Sequence, residues 1–330
     1  MSIPLHNLAR KLSGAAWWMN GLRSYDPHAR RTRLRGPQTV QIQTIDRCNA
    51  TCTMCPYSSA GKTSSANVMD DGLYRRILNE LRLAGTVKTF LLMLQNEPLL
   101  DRGFADRVKL ARESLGRSVR VCTVTNGAPL TPTVIDTLAA SEVDNVSVSI
   151  DAVSEDTFNK IRHGLNFRRV MENTLSLLQR LGPGRVSVKF LRQRENEGEE
   201  KAFAGYWGRR GVRVIFTEPT NRAGSLESYQ RIRKRRPDSW KRLVYPTLNR
   251  LFPACPLPFS SMCVLWDGRV ITCCNDWGPR DTVGDLSTQT LEQVWDGERI
   301  NHHRHLLWTR RAKESLVCSD CSLSERFWKI

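Results

Sequence analysis

The chain has 330 residues, with 50 Lys plus Arg against 33 Asp plus Glu and a formal net charge of +17. Hydrophobic residues make up 40%, ordinary for a globular protein, and no apolar run approaches the roughly 20 residues of a bilayer-spanning helix, so a transmembrane-helix protein is set aside. The charge fits a basic surface or an acidic partner, and since no recognisable DNA or RNA module accompanies it, nucleic acid is not the expected partner.

Residues 1–37 form a basic, tryptophan-containing extension, helical in part and expected to pack on the core. The run Ala15-Ala16-Trp17-Trp18-Met19 is too short for a signal-peptide core, so the expected location is cytoplasmic. Disulfides are disfavoured there, and clustered cysteines then indicate metal sites. Of the ten cysteines, three lie at 48–55 and six between 255 and 321, with Cys122 alone between the groups.

Six strand-like segments follow the extension: Val40–Ile45, Phe90–Gln95, Val119–Thr125, Val146–Ile150, Val186–Leu191 and Val212–Thr217. Helical periodicity separates several of them, at Leu73–Leu83, Thr133–Ala140 and Val170–Leu181. Alternation of this kind means parallel strands with right-handed crossovers. Six units are too few for the common eight-fold closed barrel, so an open partial (β/α)6 TIM-type barrel is expected over 38–224.

Buried parallel strands usually read as continuous apolar runs. Here one face alternates polar: Gln41 and Gln43; Arg120 and Cys122; Ser147, Ser149 and Asp151; Ser187 and Lys189; Arg213 and Thr217. Successive side chains point to opposite faces, so each set shares one face and predicts a polar lumen with a polar occupant. Residues 225–254, with Arg233-Lys234-Arg235-Arg236, read as a basic linker, and 255–330 as a small C-terminal domain.

The motif with the most chemistry is Cys48-Asn49-Ala50-Thr51-Cys52-Thr53-Met54-Cys55, directly after the first strand. Ligand loops of parallel sheets sit at the carboxyl ends of strands, so the position suits a site. A closed zinc site wants four ligands, and so does a fully ligated 4Fe–4S cluster. Three thiols leave one iron of a cube open to the nitrogen and oxygen of a small molecule. The loop closely resembles that of the radical S-adenosylmethionine (radical SAM) enzymes.

The resemblance implies a 4Fe–4S cluster on Cys48, Cys52 and Cys55, S-adenosylmethionine (SAM) on its open iron, and a flavodoxin- or ferredoxin-type electron donor. One electron then cleaves SAM to a 5′-deoxyadenosyl radical that removes hydrogen from carbon. Met54 stands where family members often have an aromatic against adenine. Gln95-Asn96-Glu97-Pro98 stands where a Gly-Gly-Glu motif holds the SAM amino group, which offers Asn96 and Glu97 as acceptors. Asn126 and Ser149 match ribose-contacting positions, and Arg162 a carboxylate-contacting one.

At the C-terminal end, Cys255-x17-Cys273-x44-Cys318-x2-Cys321 flanks an Asp267-Gly268 hairpin signal. Spacing alone allows zinc. Beside a radical SAM core the segment resembles the SPASM/twitch extension, whose four-ligand form occurs in aminocyclitol-oxidising members. This implies an auxiliary 4Fe–4S cluster on Cys255, Cys273, Cys318 and Cys321, with Cys263 or Cys274 able to replace one of them.

A cluster with four cysteine ligands does not grip substrate and suits electron transfer. The reading is therefore hydrogen abstraction from a small polar or acidic, carbohydrate-like substrate (a sugar, aminocyclitol or nucleoside-sugar of natural-product biosynthesis). Dehydrogenation would use Lys189, lowered by burial and Arg213, as proton acceptor, unless Lys189 only holds an acidic group. Epimerisation would use Cys263 or Cys274 as hydrogen donor. Decarboxylation of a sugar acid such as cytosylglucuronate, and peptide or RNA modification, are the alternatives.

Overall fold

The computed structural model describes residues 22–57, 67–233 and 255–323. Residues 1–21 of the basic extension and 234–254 of the linker lie outside these. The described part of the extension is a short hairpin, β1 (Tyr25–Asp26) and β2 (Arg31–Thr32). Tyr25 packs edge-on against Phe259 at 5.2 Å between ring centroids and lies 5.3 Å from Trp308, so this segment docks on the C-terminal region.

Six parallel strands follow: β3 (Thr39–Ile42), β4 (Thr89–Leu91), β5 (Arg120–Thr125), β6 (Asn145–Ser149), β7 (Val186–Leu191) and β8 (Arg213–Thr217). Each pairs with the next in parallel. Helices α1 (Asp71–Ala84), α2 (Phe104–Leu115), α3 (Pro132–Ala140), α4 (Glu155–Ile161), α5 (Phe167–Leu181) and α6 (Glu200–Gly208) make the crossovers.

The helices begin where the sequence offers caps. Asp70 accepts from Leu73 N, Thr131 from Val134 N with Pro132 behind it, and Asn166 from Arg169 N. Helix α1 buries Tyr74, Ile77, Leu78 and Leu81, and α5 buries Val170, Thr174, Leu177 and Leu181. These are single helical stripes, and they cover the apolar outer face of strands carrying Val40, Phe90, Val121, Val146, Val148 and Val188. This is the partial TIM-type barrel that alternating strands and helices imply.

The C-terminal strands do not form a sheet of their own. Strand β9 (Ser261–Val264) lies parallel to β3, with Gln41 opposite Cys263. Strands β10 (Arg269–Ile271) and β11 (Thr282–Asp285) then add antiparallel. The result is one nine-stranded sheet, ordered β11-β10-β9-β3-β4-β5-β6-β7-β8. The Asp267-Gly268 turn joins β9 to β10, and Gly268 has φ +93°, a backbone that side chains resist.

Two strands end well short of the sequence pattern. Strand β3 ends at Ile42 rather than Ile45, and β4 at Leu91, four residues before Gln95. The chain there bends over the barrel mouth: Asn96 Oδ1 accepts from Leu94 N at 3.1 Å, and Gln95 Nε2 donates to Asp276 O at 2.8 Å. These side-chain bonds replace the ladder.

Candidate active site

The cysteine loop is strapped down from two sides. Thr51 N and Thr53 N donate to His163 O and Ile161 O, each at 3.0 Å, and Ser228 Oγ donates to Thr53 O at 2.6 Å. Gly164, at φ +83°, turns the end of α4 against the loop, where a Cβ would meet Asn49 O at 3.5 Å. Ala50, Cys52 and Met54 pack on Ile161, Leu226 and Ile232. The loop is thereby a fixed ledge at the carboxyl end of β3.

The three thiols on this ledge sense one another. Burial pushes the Cys48 thiol up to about 12, and the Glu97 carboxylate, Cys52 and Cys55 add to the rise. Burial and then Cys52 raise Cys55, opposed by Arg222 and Arg162. Thiolates here are costly without a nearby cation.

The ledge, the strand ends and the C-terminal region enclose a cavity of about 370 Å³. Met54, Asn96, Glu97, Asn126, Ser149 and Arg162 all line it, as the resemblance implies for a SAM site. Asn126 Nδ2 donates to Asn49 Oδ1 at 2.7 Å, tying β5 to the cysteine loop. Asn96 Nδ2 is buried and has no protein partner. An orphaned donor in the wall of a polar cavity is where a bound acceptor belongs.

Glu97 is 2% exposed and accepts from Thr125 Oγ1 at 2.7 Å, Asn126 N at 2.7 Å and Leu99 N at 3.2 Å. Burial outweighs these bonds and raises its carboxyl to about 7 from 4.5. Folding thus takes up a proton at this carboxyl, so the stability it contributes is fully present below about pH 4.5 and is lost as pH rises through about 7, on the order of 3 kcal/mol. Glu97→Gln is expected to flatten that slope in denaturant titrations at stepped pH. At low pH it costs about 1–3 kcal/mol, because its amide NH₂ faces a donor.

Asp151 fixes Arg162. It accepts from Arg162 Nε at 2.8 Å, from Arg162 Nη2, and from Leu191 N at 2.7 Å. The third nitrogen, Arg162 Nη1, reaches Cys52 Sγ at 3.7 Å. Burial works against the charge, but Asp151 and Cys52 together more than offset it and raise the already basic guanidinium.

Gln41, Lys189, Arg222, Cys274 and Trp277 line the same cavity. Lys189 is lowered, by burial first and by Arg222 and Arg162, with Asp151 opposing. Arg213, the neighbour the sequence suggests, is exposed at the amino end of β8 beside Cys122 and Arg120. Strand alternation gave its face correctly, but not its depth in the barrel. Arg222 replaces it, in a turn after β8 that puts Arg222 at φ +50°. No periodicity marks such a turn, although a lone arginine among Thr220, Asn221 and Gly224 after a barrel strand is a weak signal.

Ser147 and Ser187 also fall short of the cavity wall. They bond to each other at 2.6 Å and to Asn145 Oδ1, filling a deeper layer. Cys274 lines the cavity, while Cys263 is buried behind it. The two thiols are hydrogen-bonded and share a small cluster with Leu94, Leu265 and Ile271. That bond lowers Cys274 and raises Cys263.

The C-terminal thiols gather elsewhere. Cys273 and Cys321 share one buried cluster, and Cys318 and Cys255 another. Burial pushes Cys255 up to about 12, with Cys321 adding, and Cys318 rises from burial, then Cys255 and Cys321. Cys273 rises from burial, then Cys274, Cys318 and Cys321. All four thiols therefore lie within electrostatic reach of a common region.

Among the described residues no three ligating side chains converge on a single-ion site. A cube takes one thiolate at each iron corner. Two separate groups of thiols, each within electrostatic reach of its own members, and the orphaned Asn96 amide fit two 4Fe–4S clusters and SAM. Among the described residues no helix is long and apolar enough to cross a membrane.

Comparison with known proteins agrees. The family model of the radical SAM superfamily matches residues 42–191, and that of an iron–sulfur cluster-binding domain, SPASM, matches 255–322. An S-adenosyl-L-methionine-dependent 2-deoxy-scyllo-inosamine dehydrogenase of Niallia circulans is 20% identical over 283 residues, covering 86% of this chain and 92% of its own. The crystal structure of BtrN in complex with AdoMet and 2-DOIA superposes with a TM-score of 0.59 at 19% identity, covering 86% of this chain and 92% of that one. Streptococcus suis SuiB bound to precursor peptide SuiA gives 0.67 at 13% identity, with 98% and 76% covered. At such identities the two structures speak for the fold alone, but the two domain matches fall on the two thiol sets. The chain belongs to the radical SAM superfamily, as an enzyme of S-adenosylmethionine and 4Fe–4S clusters with a C-terminal SPASM domain.

Proposed function

We propose that this enzyme abstracts hydrogen from a small polar, carbohydrate-like substrate and oxidises the carbon that bore it, as an aminocyclitol- or sugar-type dehydrogenase. The observation that carries this reading is the composition of one cavity of about 370 Å³, lined by the cysteine ledge together with Lys189, Arg222 and Cys274. When bound, SAM with a reduced 4Fe–4S cluster supplies a 5′-deoxyadenosyl radical that removes a hydrogen atom.

The chain's own residues do the rest. Cys48, Cys52 and Cys55 hold the first cluster, and Asn96, Glu97, Asn126 and Ser149 receive the polar parts of SAM. Arg162, held by Asp151, keeps a positive charge beside Cys52. Lys189 and Arg222 bind an acidic or hydroxyl-rich substrate. Lys189, its ammonium weakened by burial, takes the proton that a hydroxyl loses as it becomes a carbonyl. Cys255, Cys273, Cys318 and Cys321 would hold the auxiliary cluster, the acceptor for the one electron that remains on the substrate radical. Met54, Leu91 and Trp277 keep water from the reacting carbon. The Niallia circulans relative, named as a dehydrogenase, supports this outcome. A flavodoxin- or ferredoxin-type protein is the proposed electron donor. By this reading 38–224 is the radical-forming core and 255–330 the auxiliary domain.

A redox-neutral reading has one observation in its favour. Cys274 faces the cavity with Cys263 hydrogen-bonded behind it, an arrangement suited to returning a hydrogen atom to substrate. Turnover of candidate cyclitols and sugars in deuterated water separates the two readings. Dehydrogenation yields a product short of two hydrogens with no solvent deuterium at the reacting carbon. Epimerisation keeps the formula and gains one deuterium. Loss of carbon dioxide would overturn both in favour of decarboxylation.

A further inference from the structure

The helix Glu298–Trp308 carries His303 on its inner face, 2% exposed. His303 Nε2 lies 3.5 Å from Cys318 Sγ, and Nδ1 lies 3.2 Å from Ser315 Oγ. Hydrogen-bond accounting decides which ring nitrogen carries the proton. Ser315 Oγ accepts from Cys318 N at 3.1 Å and from Val317 N at 3.3 Å. A hydroxyl oxygen has two acceptor lone pairs and one hydrogen. Both lone pairs are engaged, so Oγ cannot also accept from Nδ1; its one hydrogen serves Nδ1 and the Cys318 sulfur, and Nδ1 is left as the unprotonated nitrogen. The ring is then neutral, and its one hydrogen sits on Nε2, facing the Cys318 sulfur.

Asp281 does not compete for the ring. Its Oδ2 stands 3.9 Å from Nδ1 and accepts instead from Thr272 Oγ1 at 2.9 Å, while Oδ1 accepts from Arg299 Nη2 at 3.1 Å. Helix, serine turn and thiol are thus registered so that one N–H points at one sulfur.

We infer that His303 is a positioning residue of the auxiliary site: its Nε2–H donates to the Cys318 thiolate and raises the reduction potential of the cluster held there. The inference rests on the reading of Cys318 as a cluster ligand. A hydrogen bond to a ligating sulfur draws off negative charge, and it favours the reduced cluster because that state is the more negative. A higher potential makes the auxiliary site a better acceptor for an electron leaving substrate.

The test is a redox titration of the anaerobically prepared holoenzyme, followed by electron paramagnetic resonance, with added SAM marking the signal of the first cluster. In His303→Leu the reduced-to-oxidised ratio of the auxiliary cluster at fixed poise is expected to fall about tenfold, a shift of about 59 mV for one electron. His303→Gln, whose amide nitrogen reaches toward the same sulfur, is expected to recover most of that shift. Iron content is expected to stay at the native value in both. A native midpoint in iron-replete His303→Leu overturns the inference. Loss of about one cluster's iron from both variants also overturns it, making His303 a ligand or a structural support. Native iron content in Cys318→Ala instead overturns the ligand reading beneath it.

Discussion

Replacing Cys48, Cys52 and Cys55 together with alanine is expected to abolish 5′-deoxyadenosine formation, a loss of about 10⁶-fold or more. Chromatography of dithionite-reduced reactions reads it, alongside iron analysis. The reason is an all-or-none requirement rather than a graded one. The ledge brings its three thiols into mutual electrostatic reach, and the other cysteine among the cavity's lining residues, Cys274, comes from the C-terminal region. With the ledge bare, nothing keeps SAM and a reducible centre together. About four irons should be lost, and about four should remain on the C-terminal thiols. Unchanged nucleoside formation would sink the assignment of the first site.

Asp151→Ala is expected to cost about 3–5 kcal/mol of stability, read by anaerobic denaturant titration. Asp151 is fully buried and Arg162 nearly so, and removing the acid leaves the guanidinium unpaired in the barrel mouth. Leu191 N loses its acceptor as well. Asp151 also sits at φ +66°, which alanine tolerates less well than aspartate. Asp151→Asn keeps the shape and the backbone preference but not the charge, so it should fall between. Both variants free Arg162 to swing from Cys52, and SAM cleavage should drop with stability. A loss below about 1 kcal/mol in the alanine variant would mean that Arg162 finds water instead.

Much of the barrel was legible because its signal is local. Val186–Leu191 is a strand to the residue, and the stripe Val170, Thr174, Leu177 and Leu181 announces its helix. The thiol spacings were legible because few other chemistries ask for three cysteines on eight residues. Depth was not. Arg213 and Thr217 share a face, yet only Thr217 lines the cavity, because alternation sorts sides and not distance along the axis. Arg222 and Trp277 were invisible because turns after β8 and β10 carry no period. Glu97 was legible as a motif position, but not as the acceptor that ties the ends of β4 and β5 together. His303 reads as one of several histidines on a helix until Ser315 and Cys318 are brought beside it.

The parallel pairing of β9 with β3 has a consequence for engineering. The C-terminal region is no detachable cassette, because cutting it away would strip the first barrel strand of a neighbour and bare a row of amides inviting intermolecular pairing. The same seam carries Cys274 and Trp277 into the reaction chamber. A chimera that borrowed this region from a relative would import part of the cavity lining together with a new cluster-binding domain, so the two would be inherited as one package.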